Sequence, residues 1–205
     1  MKESISKVLD KLETQSNLEK SRKVDVPQKE RMLAITKETG ELLNMILRLK
    51  GAKTILEVGT STGYSTIWCA EAIYEKQGRI VTIENNPEKI KRANENFQNA
   101  QISDSITIKE GNAIDILNEL KADEKNHEFF DFVLIDADKE NIIEYFDLIL
   151  PMVSIGGVIV TDNMLYPEKY RQEMKIFSDS LKANDSVRTT TVPIGNGEEI
   201  TIKIK

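Results

Sequence analysis

The chain has 205 residues, of which 40% are hydrophobic and 30% charged, a composition that excludes a collagen-like, low-complexity or disordered protein. Its net charge of -6 provides no field that would attract phosphate backbones, so nucleic acid is disfavoured as a partner. The one cysteine cannot form an intramolecular disulfide, and no apolar run approaches the roughly 18 residues needed to span a bilayer. We therefore expect a single domain over residues 1–205, located in the cytoplasm and without membrane contact.

The N-terminal quarter of the chain contains two amphipathic helical patterns. Apolar residues recur at helical spacing from Ile5 to Leu12 and again from Met32 to Leu49, with a polar bridge, Ser16 to Gln28, between them. Thr36 is the predicted N-cap of the second helix, and Gly51 is its predicted stop. The sequence thus predicts N-terminal helices ahead of the main fold.

Short apolar runs alternate with helical patterns along the rest of the chain. This alternation is typical of a parallel sheet with crossover helices, and runs that are apolar at successive positions suit strands buried on both faces. At the end, two further runs flank the tight-turn signal Gly195-Asn196-Gly197 and predict an antiparallel hairpin. The fold is therefore predicted to be α/β. Its predicted strands are Thr54–Val58, Ile80–Ile83, Ile106–Ile108, Phe132–Ile135, Val158–Val160, Thr189–Pro193 and Ile200–Ile204, and its predicted crossover helices are Tyr64–Lys76, Glu88–Asn99, Ala113–Leu120, Asn141–Met152 and Glu168–Leu181.

The first predicted strand runs into a turn that contains Gly59 and Gly63. In an open parallel sheet, nucleotide-like ligands bind at such a turn. The spacing E-x-G-x-x-x-G lacks the middle glycine of a dinucleotide fingerprint and the lysine of a phosphate-binding loop. Glu57 would repel a phosphate, and Glu84, which ends the next strand, can accept both hydroxyls of a ribose. S-adenosylmethionine has a ribose and no phosphate, and backbone N–H groups or the Ser65 hydroxyl could bind its carboxylate. The alternative interpretation is an ordinary tight turn without a ligand.

Polar side chains follow the fourth and fifth predicted strands. Asp136 comes after the fourth strand, and Asp162 and Asn163 come after the fifth. Carboxylate and amide oxygens suit a hard divalent ion such as Mg²⁺, whereas ordinary strand ends and helix caps are the alternative interpretation. Lys139 would face the same crevice, where it is either a general base for a hydroxyl or a surface lysine at the beginning of a helix.

Four separated motifs occur in order along the chain: L-E-V-G-T-S-T-G-Y-S, D-F-V-L-I-D-A-D-K-E-N, G-G-V-I-V-T-D-N and V-P-I-G-N-G. With them the chain resembles the cation-dependent O-methyltransferases related to caffeoyl-coenzyme A and catechol O-methyltransferases. The resemblance implies a Rossmann-like class I methyltransferase fold, with a mostly parallel seven-stranded sheet, a C-terminal antiparallel hairpin and N-terminal helices. It also implies methyl transfer from S-adenosylmethionine to a hydroxyl of a small aromatic acceptor, catechol-like or hydroxycinnamoyl-like. The implied cofactor is Mg²⁺ or another divalent cation, and the implied assembly is a homodimer.

The resemblance carries specific roles to individual residues. Asp136, Asp162 and Asn163 would hold the cation, and Lys139 would be the base, so that Lys139 and Asp136 form the catalytic pair. Residues 1–50 would form a helical lid or dimer segment, and residues 51–205 would form the S-adenosylmethionine-binding core. The implied cofactor contacts are Ile35, Glu57, Gly59, Thr60, Ser65, Glu84, Ala113, Asp136 and Asp138.

Two departures from the family pattern lie near the predicted acceptor side. The chain after Tyr166 runs almost directly into the helix Glu168–Leu181, where plant relatives have a longer substrate-contacting loop, and Glu198 and Glu199 replace an apolar strand start after the last motif. A metal-independent small-molecule methyltransferase and a non-catalytic S-adenosylmethionine-binding protein are the alternative functions. A nicotinamide oxidoreductase is disfavoured because the middle glycine of its fingerprint is missing.

Overall fold

A computed structural model describes all 205 residues, which form seven α-helices and seven β-strands. Every predicted helix and strand is present, although several of their ends differ from the prediction. The helices are α1 (Glu3–Lys20), α2 (Lys37–Lys50), α3 (Tyr64–Ile73), α4 (Pro87–Ala100), α5 (Ala113–Ala122), α6 (Ile142–Ile149) and α7 (Arg171–Ala183). The strands are β1 (Thr54–Val58), β2 (Arg79–Glu84), β3 (Ile106–Glu110), β4 (Phe130–Ile135), β5 (Val153–Thr161), β6 (Val187–Val192) and β7 (Glu198–Lys203).

The seven strands form one sheet in the order β3-β2-β1-β4-β5-β7-β6. Strands β1 to β5 are parallel, and β7 runs antiparallel to both β5 and β6. The predicted mostly parallel sheet with an antiparallel C-terminal hairpin is confirmed. The strand order reverses between β1 and β4, and in open α/β sheets ligands bind in the crevice at the carboxyl ends of such strands.

The central strands bury side chains on both faces of the sheet. In β4, Phe132 and Leu134 contribute to one apolar core, and Val133 and Ile135 contribute to the other. Helices α1 to α4 cover the first core, and helices α5 to α7 cover the second. Full burial of a large apolar side chain contributes roughly 1.5–3 kcal/mol. The two cores therefore hold β1 and β4 firmly, which fixes the strand ends that form the crevice.

Helix α1 continues to Lys20, into the stretch that the sequence predicts as a polar bridge. The end of the helix is held by contacts with the segment before α2. Glu19 accepts a hydrogen bond from the Met32 backbone N–H at 2.8 Å, and Lys20 donates to the Ala34 carbonyl at 3.1 Å. Thr36 is the N-cap of α2, as predicted, and accepts a hydrogen bond from the Thr39 N–H. These bonds fix the segment between α1 and α2 beside the sheet.

Strands β5 and β7 both begin earlier than the sequence predicts. The predicted start of β5 was Val158, but the strand begins at Val153 and contains Gly156 at a φ of +75°. Its pairing with β4 shifts register near this glycine, so Gly156 and the following Gly157 lie inside an irregular strand. Strand β7 begins at Glu198, which places the acidic residues Glu198 and Glu199 inside the sheet.

No helix combines the length and apolar character needed to cross a bilayer.

Candidate active site

The turn after β1 passes close to the chain that leaves β4. Gly59 has a φ of +104°, and a Cβ atom there would lie 2.0 Å from the Asp136 carbonyl oxygen. Gly63 has a φ of +88°, and a Cβ atom there would lie 2.4 Å from the Phe97 ring. Only glycine fits either position without a shift of its neighbours. The turn therefore needs glycine for its close packing, in addition to any contact with a ligand.

Glu57 lies beneath this turn and is 1% exposed. Its carboxylate accepts hydrogen bonds from the hydroxyls of Ser65 at 2.6 Å, Thr66 at 2.5 Å and Thr82 at 2.6 Å. Burial raises the pKa of Glu57, although the three hydroxyls favour the charged form. Thr60 joins the same network through Thr82. Two predicted cofactor contacts, Glu57 and Ser65, thus bind each other and brace the turn from below.

Glu84 lies at the end of β2 and is half-buried beside the same turn. Its two carboxylate oxygens accept hydrogen bonds from the backbone N–H groups of Ser61, Asn85 and Asn86. Each carboxylate oxygen can accept a further hydrogen bond, so Glu84 remains able to bind a hydroxyl. The structure therefore places this carboxylate where the sequence predicts it.

Two other predicted cofactor contacts flank the crevice. Ala113 is the first residue of α5, and the preceding Asn112 caps the helix with its side-chain oxygen. Ile35 is 3% exposed and packs in the first core. Its segment reaches the turn after β1, because the Ser61 hydroxyl donates to the Met32 carbonyl at 2.5 Å.

The predicted cation-binding residues follow two neighbouring strands, β4 and β5. Asp162 is 2% exposed, and its Oδ1 accepts a hydrogen bond from the Asn163 N–H at 2.7 Å. Burial and the nearby Asp162 charge raise the pKa of Asp136 to about 7, and burial raises the pKa of Asp162. The structure thus brings two carboxylates together in a setting that opposes their charges.

Lys139 and Asp138 have different surroundings, although they are adjacent in sequence. The Lys139 side chain is 5% exposed, its Nζ lies 3.9 Å from Oδ1 of Asp136, and no hydrogen-bond partner reaches it. The Asp138 carboxylate accepts hydrogen bonds from Asn141 at 2.7 Å and from the Tyr145 hydroxyl at 2.5 Å. The Lys139 Nζ is therefore buried without a hydrogen bond, whereas Asp138 is engaged in the start of α6.

The sequence-based list of site residues omits Glu198, which lies at the start of β7 and is fully buried. Its Oε1 accepts a hydrogen bond from the Thr39 hydroxyl at 2.9 Å, and its Oε2 has no partner. Burial and the nearby Asp162 charge raise the pKa of Glu198 to about 10. A signal was present in the sequence, since Glu198 shares its strand face with the apolar residue Ile200.

The turn between β6 and β7 packs against two other segments of the chain. A Cβ atom at Gly195 would lie 2.3 Å from the Thr39 hydroxyl oxygen, and one at Gly197 would lie 2.5 Å from the Leu165 side chain. The Asn196 carbonyl accepts hydrogen bonds from the Leu165 and Tyr166 N–H groups. The hairpin turn therefore joins the start of α2 to the segment that follows Asn163.

Comparison with known proteins identifies the family. The profile of the O-methyltransferase family matches residues 8–204. The chain belongs to the O-methyltransferase family. Caffeoyl-CoA O-methyltransferase 1 of Zea mays is 33% identical over 189 residues, which cover 85% of this chain and 73% of the maize protein. Caffeoyl-CoA O-methyltransferase 1 of Arabidopsis thaliana is 32% identical over 188 residues, which cover 84% of this chain and 72% of the Arabidopsis protein.

Solved structures of related enzymes have the same fold as this O-methyltransferase. TomG of Streptomyces achromogenes, in complex with SAM, is 30% identical with a TM-score of 0.80, and the match covers 100% of this chain and 91% of TomG. The O-methyltransferase of Bacillus cereus, in complex with SAH, is 27% identical with a TM-score of 0.79, and the match covers 99% of this chain and 91% of the Bacillus cereus protein. The prediction of an S-adenosylmethionine-dependent O-methyltransferase is confirmed.

Proposed function

We propose that this O-methyltransferase methylates a hydroxyl of a small aromatic acceptor, catechol-like or hydroxycinnamoyl-like, with the help of a divalent cation such as Mg²⁺. The observation that carries the proposal is the pair of half-buried Asp136 and buried Asp162, with Lys139 beside Asp136, at the strand ends that form the crevice. The caffeoyl-CoA O-methyltransferases among the relatives support the acceptor class.

The residues at the crevice fit a hard divalent cation. Asp136, Asp162 and Asn163 offer carboxylate and amide oxygens, which are the donors that Mg²⁺ prefers in proteins. Burial of two like charges is costly unless a positive charge compensates them, and Lys139 supplies only one. A divalent cation held by these residues would act as a Lewis acid that favours ionisation of the acceptor hydroxyl.

The loop after β1 is suited to a nucleoside without phosphates. Glu84 has free acceptor capacity for ribose hydroxyls, and no lysine of a phosphate-binding loop is present. S-adenosylmethionine supplies an electrophilic methyl group on its sulfonium. We propose that its contacts are Ile35, Glu57, Gly59, Thr60, Ser65, Glu84, Ala113, Asp136 and Asp138, with Glu57 and Ser65 contributing mainly through the shape of the turn.

Lys139 is the proposed general base. Its Nζ makes no hydrogen bond within the protein and is held away from bulk water, so in its neutral amine form it can take the proton of an acceptor hydroxyl that lies between it and Asp136 and become the ammonium ion. The same burial lowers the local dielectric constant and strengthens the interaction of Lys139 with charges in the crevice. The chain thereby binds, orients and deprotonates the acceptor beside the methyl donor.

The proposal is tested by methyl transfer to catechol and caffeoyl-CoA, with and without Mg²⁺ and a chelator. Replacement of Asp136 by Ala should abolish the cation-dependent part of the turnover. Unchanged turnover and cation dependence in Asp136→Ala would contradict the cation assignment, and chelator-insensitive turnover of the unmodified protein would indicate a metal-independent methyltransferase. Binding of S-adenosylhomocysteine without turnover of any aromatic acceptor would indicate a non-catalytic protein.

Two further properties stay predictions. The homodimer follows from the family resemblance, and light scattering after size-exclusion chromatography would measure it. The cytoplasmic location follows from the composition of the chain, and cell fractionation would test it.

A further inference from the structure

Glu198 is a buried carboxylate that the protein satisfies at only one oxygen. Thr39 donates to Oε1, no donor group of the protein hydrogen-bonds Oε2, and the residue is fully buried, with the Asp162 side chain within hydrogen-bonding reach of its carboxyl group. An unsatisfied buried polar atom is costly, and the cost is higher for a charged group. Its neighbour Glu199 is equally buried but accepts hydroxyl hydrogen bonds from Ser178, Thr189 and Thr191. The free oxygen is therefore particular to Glu198.

The strand register places Glu198 beside the proposed cation site. Glu199 pairs with Thr161 across the antiparallel β5–β7 ladder. One step further along both strands, Glu198 lies opposite Asp162. Carboxylates directly opposite each other in a sheet repel and destabilise it. Two buried acidic groups in this register thus require a proton or a cation between them.

A second unpartnered group points to the same place. The buried Lys139 Nζ has no hydrogen-bond partner and lies 3.9 Å from Oδ1 of Asp136. The Lys139 ammonium group interacts with the charges of Asp136 and Asp162, and Glu198 interacts with the charges of the same two aspartates. The local charge balance is negative, which favours a divalent cation over a neutral or anionic ligand.

We propose that Glu198 is a third carboxylate ligand of the cation site, through its Oε2, in addition to Asp136 and Asp162. This inference rests on the proposed function, which requires the cation. No three acidic, thiol or imidazole groups of the structure lie close enough together to hold an ion as they stand, so binding through three carboxylates requires these side chains to rotate. The bond from Thr39 fixes Oε1 and leaves Oε2 free for this contact. A third carboxylate raises the cation affinity, because affinity increases with ligand charge.

Direct titration of the metal-free protein with Mg²⁺ and Mn²⁺ tests the inference without any turnover. The ions are added to the full chain by isothermal titration calorimetry, and binding of free Mn²⁺ is followed independently by electron paramagnetic resonance. Glu198→Gln keeps the size of the side chain and an acceptor for Thr39, and it should weaken cation binding by at least about tenfold. Glu199→Gln is the matched control, since it removes the adjacent buried carboxylate on the opposite strand face and should leave the affinity near that of the unmodified protein.

The outcomes separate this inference from the proposed function. If Glu198→Gln binds both ions as tightly as the unmodified protein while Asp136→Asn does not, the inference is wrong and the cation site stands; Glu198 and Asp162 then share a proton only. If Glu199→Gln loses as much affinity as Glu198→Gln, the loss reflects the sheet and the inference also fails. If the unmodified protein binds neither ion but binds S-adenosylhomocysteine, the cation assignment and the inference fail together.

Discussion

Lys139 holds its Nζ 3.9 Å from Oδ1 of Asp136 in a position that is 5% exposed, and no hydrogen bond satisfies the ammonium group. A structural ion pair would be closer and would use the hydrogen-bonding capacity of the lysine. The longer separation leaves room for a hydroxyl that touches both groups. We therefore expect Lys139 to contribute to the chemical step more than to stability.

Replacement of Lys139 by Met should lower kcat by about 10²- to 10⁴-fold, the usual contribution of a positioned general base. Met keeps the length of the side chain, so the fold and the affinity for S-adenosylhomocysteine should change little. Removal of the positive charge should leave cation binding unchanged or tighter. Steady-state kinetics with saturating methyl donor measure the effect, and a folded variant with normal kcat would exclude the base role.

Replacement of Gly59 by Ala should disrupt the turn after β1. The new Cβ would lie 2.0 Å from the Asp136 carbonyl oxygen, and the φ of +104° is unfavourable for alanine, so we expect a loss of about 3 kcal/mol or more in the free energy of unfolding. Gly51→Ala is the control, because Gly51 also has a positive φ but a Cβ there would contact only the Lys76 Nζ at 3.6 Å. That variant should lose about 1–2 kcal/mol. Denaturant titration measures both, and equal losses would show that conformational strain alone explains the need for glycine.

Replacement of Glu84 by Gln should weaken binding of S-adenosylhomocysteine by about tenfold or more, because charge-assisted hydrogen bonds are lost. The NH₂ of the new amide group would also face backbone N–H groups that now donate hydrogen bonds to the carboxylate, and two donors cannot pair with each other. Glu110→Gln is a matched control, since Glu110 pairs with Glu84 in register and is exposed at the end of β3. Calorimetric titration should separate the two variants, and similar affinities would remove Glu84 from the cofactor site.

The sheet and the site edge were predictable from the sequence because both depend on local patterns. Continuous apolar runs such as Phe132–Ile135 mark strands with two buried faces, and the polar residues that follow them must lie at one edge of a parallel sheet. The extension of β5 back to Val153 was not predicted, because the pair Gly156 and Gly157 is typical of a loop and its role in an irregular strand depends on the pairing with β4.

The partners of buried acidic groups depend on long-range contacts and were not predictable. Glu57 suggested a direct role in ligand choice, but its carboxylate binds three hydroxyls, one of them Thr82 from the neighbouring strand. Glu198 binds Thr39, which lies 159 positions away in the chain. Only the packing of α2 against the C-terminal hairpin makes that contact, so sequence patterns identify the acidic residues but not what they bind.

The metal-free protein should lose stability as the pH rises from 6 to 8.5. The pKa of Glu198 is raised to about 10 and that of Asp136 to about 7, above their ordinary values of 4.5 and 3.8. Between the unfolded and folded pKa values the folded chain holds more protons than the unfolded chain, so the free energy of unfolding falls with pH. The stabilisation is complete below the ordinary values and is lost as the pH rises through the folded ones.

Glu198→Gln should make this pH dependence shallower, because it removes the group with the larger shift, by up to about 1.4 kcal/mol per pH unit. Thermal and denaturant unfolding in the presence of a chelator, at pH 6, 7 and 8.5, measure the slope. Glu199→Gln serves again as the control and should keep the slope of the unmodified protein. Parallel curves for Glu198→Gln and the unmodified protein would mean that Glu198 is already ionised at neutral pH. The free oxygen of Glu198 would then carry its charge in the metal-free state as well.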